Sequence, residues 1–153
     1  MSKVRTIALG ILGFFTIAPI PGSAATSVTT IGTNYMANTG SINCPTVTTG
    51  GVCTATFPAV PTGKYLVVSH VSCLIATIAV ATPFVLELAG AQQTFLANGV
   101  GFLFDGTAYY EGTFSVDSVS TSGQQPLVNV TPLATSANLS VDCTIAGNLH
   151  TNP

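Results

Sequence analysis

Beyond residue 25 the chain keeps no helical period. Short apolar runs rich in Val, Ile, Phe and Tyr alternate with Ser, Thr, Asn and Gln, and Gly or Pro cuts them at the joints. That pattern predicts strands. The longest run, residues 64–80, holds Tyr65, Leu66, Val67, Val68, His70, Val71, Cys73, Leu74, Ile75, Thr77, Ile78 and Val80 with no helix start at either flank. Its β-branched content predicts one long or bent strand, in which simple alternation sets His70 on a face with Val68 and Ser72.

Shorter strands are expected at 54–57, stopped by Pro58 and Pro61, and at 84–88 and 94–97, which bracket Ala89-Gly90-Ala91 as two strands or one interrupted strand. Others are expected at 100–104, 127–130 and 139–149. Asp105-Gly106 between two β-prone runs predicts a two-residue hairpin, because both residues tolerate positive φ. Residues 118–125 read as a polar loop, and 148–153 as a frayed tail. Residues 26–43, Thr-, Ser-, Gly- and Asn-rich with Val28, Ile31 and Tyr35 among them, fit either a first edge strand or a flexible arm. Short strands without an amphipathic helix indicate an all-β fold: a single-domain antiparallel β-sandwich or jelly roll over 44–149, with 150–153 as tail.

The first 25 residues differ in kind. Lys3 and Arg5 precede an uncharged run from Thr6 to Ala18, and a small-residue tail ends at Ala24-Ala25. That order predicts a cleavable signal peptide at 1–25, with an apolar part too short to span a bilayer. Its removal leaves 128 residues, enough for one core. It also removes two of the three basic residues. The remainder keeps Lys64 against Glu87, Asp105, Glu111, Asp117 and Asp142, a formal charge of −4. Such a chain lacks the cations that nucleic acid or anionic lipid demands, so neither is an expected partner, and no membrane insertion is expected after cleavage. Low charge also weakens protection against self-association.

Cys44, Cys53, Cys73 and Cys143 all follow the signal segment. The signal segment predicts a secreted or periplasmic location, and four cysteines in such an oxidising compartment predict two disulfides. Of three pairings, Cys44 with Cys53 closes a small loop around Gly50-Gly51, and Cys73 with Cys143 ties the long early strand to the closing strand. Their spacing matches neither a zinc site nor a Cys-x-x-Cys redox motif.

Val60-Pro61-Thr62-Gly63-Lys64-Tyr65-Leu66-Val67-Val68-Ser69-His70-Val71-Ser72 resembles a Val-Pro-x-Gly-Lys segment leading a hydrophobic strand in small secreted bacterial proteins of unknown function. The resemblance implies a β-sandwich and supplies no catalytic residues.

Candidate chemistry is sparse. His70 and His150 are the only histidines, and no Gly-x-Ser-x-Gly elbow is present. Glu87 with Glu111, or Asp105 with Asp117, is the formal choice for a glycosidase carboxylate pair. Asp105, Glu111 and Asp117 are the oxygen donors for a calcium site, without a loop pattern to organise them. Asn129-Val130-Thr131 and Asn138-Leu139-Ser140 have the form of glycosylation acceptors. Tyr109 and Tyr110 are candidate ligand-binding platforms, only one of which can be exposed, since neighbours in a strand face opposite ways. No catalytic residue, metal or cofactor is assigned. The expectation is a non-enzymatic structural, surface or adhesive component that self-associates or meets a cell-surface partner. The alternative is a small extracellular glycan- or ligand-binding module.

Overall fold

The computed structural model describes residues 26–47, 51–78, 83–91, 94–99, 106–134 and 136–152. The signal segment, the 100–104 strand and Asp105 lie outside these. Among the described residues nine strands are formed: β1 (Ser27–Ile31), β2 (Asn34–Val47), β3 (Cys53–Thr56), β4 (Lys64–Thr77), β5 (Phe84–Leu88), β6 (Thr94–Gly99), β7 (Ala108–Ser120), β8 (Leu127–Pro132) and β9 (Ser136–Thr151). They join in one antiparallel sheet of order β1-β2-β9-β4-β7-β6-β5-β8-β3. No helix occurs among the described residues.

The pairing is nested. β2 pairs β9, β3 pairs β8, β4 pairs β7 and β5 pairs β6, as in one long hairpin. The sheet doubles back at the β6/β7 corner, so that β3 comes to lie against β2 and β9, at the far end of the strand order. Two layers result: β1-β2-β9-β4-β7, long-stranded except for its edge strand β1, and β6-β5-β8-β3 with short strands. Between them lie Leu66, Val68, Val71, Ile75, Phe84, Leu86, Val128, Val130, Leu139, Val141 and Ile145, all fully buried. Phe84 meets Tyr110 edge-on at 4.9 Å, and Phe95 stacks on Phe114 at 3.9 Å, which fixes the corner.

Of the two alternatives for residues 26–43, an edge strand is formed by β1, and the remainder goes on into a second strand, β2. Gly32-Thr33 joins β1 to β2 in a two-residue turn, with Gly32 at φ +62° and Ile31 opposite Asn34. Gly at the first central position is the requirement of a type II′ hairpin. β2 is then an interior strand between β1 and β9. The turn Pro61-Thr62-Gly63-Lys64 closes with Lys64 N–H on the Pro61 carbonyl at 3.1 Å and Gly63 at φ +74°. Positive φ at the third position makes it type II, and it launches β4. Residues 84–88 and 94–99 are two strands, while 118–120 belong to β7, so the polar loop is shorter than expected. At the C-terminus β9 runs through Thr151, with His150 paired to Tyr65, so 150–151 are strand and not tail.

Two bulges set which side chains turn inward. In β4 an irregularity between Val68 and His70 resets the alternation, so Leu66 and Val68 are buried before it and Val71, Cys73 and Ile75 after it. His70 is therefore exposed, on the face opposite Val68, which corrects the simple alternation. In β2 the irregularity lies between Asn38 and Ser41. Tyr35, Ala37 and Thr39 are buried ahead of it, whereas Ile42 and Cys44 pack on the core beyond it. Gly40 adopts φ +63° at this bulge. The buried Thr39 hydroxyl replaces the interrupted ladder by accepting the Cys143 N–H at 3.1 Å. Thr39→Val removes that acceptor and strands a buried N–H, for an expected loss of about 2 kcal/mol. Thr39→Ser retains it, and denaturant unfolding of the two variants checks the difference.

The disulfides are Cys44–Cys53 and Cys73–Cys143. The first joins β2 to β3, strands far apart in the sheet order, and so closes the doubled-back layers against each other. The second links directly opposed residues of adjacent strands, with Cα atoms 4.1 Å apart.

Candidate functional site

The outer face of the long-stranded layer gathers uncharged polar side chains from five strands. Strand register aligns Ser27, Asn38, Thr144, Ser72 and Thr113 in one rank across β1, β2, β9, β4 and β7. At about 4.8 Å per strand the rank spans roughly 19 Å. Each member is uncharged and can hydrogen-bond. Neighbours are held together: Ser72 and Thr113 hydroxyls lie 3.1 Å apart, and Ser41 and Ser140 hydroxyls 2.7 Å apart. Asn38 donates to Asp142 Oδ1 at 2.7 Å and Thr144 Oγ1 at 2.9 Å, while its own carbonyl accepts the Gly40 N–H at 2.6 Å. The bulge that turns Cys44 inward thus also orients Asn38 toward Asp142.

The candidate residues fall as follows. Tyr110 is buried on Phe84, and Tyr109 is half-buried on the outer face beside Ala76. The pair therefore forms no two-ring platform. A half-buried, outward-facing aromatic contact lies elsewhere, where Tyr65 and His150 stack at 5.0 Å across β4 and β9. His70 lies between Ser115 and Ala146 of the flanking strands. Glu87 faces outward from β5, because its neighbours Leu86 and Leu88 are buried. Glu111 faces outward from β7 in the other layer, beside buried Tyr110 and Gly112. The two carboxylates thus leave opposite faces of the molecule and cannot flank one bond, so the glycosidase pairing of Glu87 with Glu111 is excluded. Asp105 lies outside the described residues. Among the described residues no three His, Cys, Asp or Glu side chains gather as a metal-holding group.

Among the described residues, hollows flank this layer at both ends. One, of about 360 Å³, sits beside β1 and is lined by Thr29, Ile31, Met36, Ser69 and Asn148 among others. The other, of about 400 Å³, lies where the β5–β6 turn meets the end of β7, and is lined by Gly90, Asp117, Ser118, Ser120, Gln124 and Gln125. The Gln124 side chain accepts the Thr121 N–H at 2.7 Å, which braces the loop that walls it. Position 117 in the 13-residue strand β7 is what brings a carboxylate there.

Burial pushes the Tyr35 hydroxyl above its ordinary value of 10.0. A raised folded-state value means stability is full below pH 10 and is lost as pH rises past it. Tyr35→Phe is expected to weaken this alkaline loss, seen as a flatter dependence of melting temperature on pH above about 10.

No family model, no curated protein and no solved structure matches this chain.

Proposed function

We propose that this protein is an exported, non-enzymatic structural or surface component whose long-stranded layer is its contact face. The observation that carries the reading is the uncharged rank from Ser27 to Thr113, laid across a disulfide-stapled sheet. Hydroxyls and amides both donate and accept, so this rank can meet extended polar material without charge complementarity, with the outward carboxylates of Glu111 and Asp142 beside it. Two disulfides fit an oxidising, extracytoplasmic compartment. No described helix is long and apolar enough to cross a membrane. The nested pairing of β2 to β9 supports the finer reading of the fold as a β-sandwich of jelly-roll type, since a long hairpin wrapped over itself yields interlocked Greek keys. The likeness of the 60–72 segment to secreted bacterial β proteins belongs to the same reading.

Cell fractionation with thiol trapping tests it. The expected result is an oxidised chain, shortened at its N-terminus, in the envelope or surface fraction. A reduced, full-length chain in the cytoplasm overturns the proposal.

The hollow at Asp117 favours a second reading, a small glycan-binding module. One carboxylate, two hydroxyls and two amides around about 400 Å³ suit a neutral polyol better than an anion. A glycan array with wild type and Asp117→Asn decides it. Saturable binding lost in the variant supports a site at this hollow, and binding by neither removes it.

A further inference from the structure

We infer that β1 is the seam of a two-fold dimer, in which β1 pairs antiparallel with β1 of a second copy, Thr29 on the axis. The inference deepens the surface-component reading and rests on it for its biological sense, though not for its geometry.

β1 is an edge strand whose five residues are all exposed. A strand exposed on both faces gains little burial for the order it requires. Val28 is 46% exposed, Ile31 73%, and Met36 beside them 51%. The other end of the sheet is treated differently. β3 has only four residues, is bound through Cys53 to β2, and is followed by Pro58. Short length, covalent cover and proline are the devices that block edge pairing. β1, five residues long, lacks the covalent cover and the proline, and residues 26–41 contain no Asp, Glu, Lys or Arg to oppose a like copy.

The hairpin specifies the register. Across a two-residue turn the flanking residues Ile31 and Asn34 form a hydrogen-bonded pair, and such pairs recur at alternate positions. Ser27, Thr29 and Ile31 therefore direct their N–H and C=O groups to β2. Val28 and Thr30 direct theirs to the free edge. A two-fold through Thr29 sets Val28 of each copy against Thr30 of the other, which engages two donors and two acceptors from each chain. The long-stranded layers of both copies then become one sheet of ten strands, with the Ser27-to-Thr113 rank on the same side in each. A second copy is the occupant that this symmetry selects. A five-residue seam is small beside the roughly 1,200 Å² of a standard stable interface, so the dimer forms reversibly with concentration.

On the axis, Thr29 faces its own copy across a non-hydrogen-bonded pair. Cα atoms there lie about 4.5 Å apart, within disulfide reach. The buried Cys73–Cys143 bridge occupies the same kind of cross-strand position in this fold. Thr29→Cys in the purified protein is expected to link covalently into dimers under mild oxidation at least about tenfold faster than Thr30→Cys or the outer-face control Thr113→Cys. Light scattering of the wild type should show the mass doubling as concentration rises. Thr30→Pro, which removes an N–H that β2 does not use, and Thr30→Lys should each return it to monomer with unchanged melting temperature. A wild type monomeric at every concentration, or Thr29→Cys linking no faster than Thr113→Cys, overturns the seam. A monomer that still fractionates with the envelope defeats the seam alone, whereas a dimer free in the medium defeats the surface role alone.

Discussion

Replacing Cys73 and Cys143 together by alanine is expected to lower stability by about 4 kcal/mol, the largest effect available to a side-chain change here. The bridge joins residues 70 apart in sequence, against 9 for Cys44–Cys53. Chain entropy in the unfolded state scales with the logarithm of the closed loop, so the corresponding loss for Cys44 and Cys53 is about 3 kcal/mol. A loss of about 4 kcal/mol lowers the melting temperature by roughly 15 °C in a domain of this size. Urea unfolding of the two double variants checks the order. Equal losses would show that the short bridge gains in the folded state by holding β3 against β2. Reductant should open the bridges in the opposite order, because Cys73 and Cys143 are both buried while Cys44 is half-buried.

Gly147→Ala is expected to cost about 3 kcal/mol or more, the largest loss from a single added methyl. A Cβ at 147 would run into the Val67 carbonyl oxygen and come within 2.9 Å of Val67 C and Val68 Cα. These are backbone atoms of β4 just ahead of its bulge, and backbone cannot rotate aside. Gly112 offers the contrast. A Cβ there would strike Leu86 Cδ1, with Ala97 Cβ at 3.3 Å. Its main obstacle is the end of a flexible side chain, so Gly112→Ala should cost about 1 to 2 kcal/mol. Adding Leu86→Val to Gly112→Ala should recover part of that loss, whereas no side-chain change near Val67 should rescue Gly147→Ala. Thermal unfolding of both alanine variants and of the double variant checks the ranking.

These two predictions depend on features of different visibility. The cysteine pairing could be weighed from the sequence, because a nine-residue separation around Gly50-Gly51 suits a local loop and leaves one long tie between strands already read as such. Gly147 offered no such clue. Its need for hydrogen in place of a methyl arises where the β4 bulge brings backbone against β9, a contact between segments some eighty positions apart. The Gly32-Thr33 hairpin carried a readable signal, Gly at the first turn position, yet the polarity around it left an edge strand and a flexible arm equally open. The polarity reflects β1, a strand without a buried face.

Strand content, a long element starting at Lys64, the opposed directions of Tyr109 and Tyr110 and the near absence of charge were determined by the sequence alone, since alternation and composition act locally; that Tyr110 is the inward ring was decided by the fold. The tertiary structure alone decided the two bulges, the outward turn of His70, the separation of Glu87 from Glu111, and the shared rank from Ser27 to Thr113. A bulge shifts every later side chain to the other face, and only the partner strand's register reveals it. The free edge of β1 belongs to the same class, because an edge is defined by which strands stand next to which.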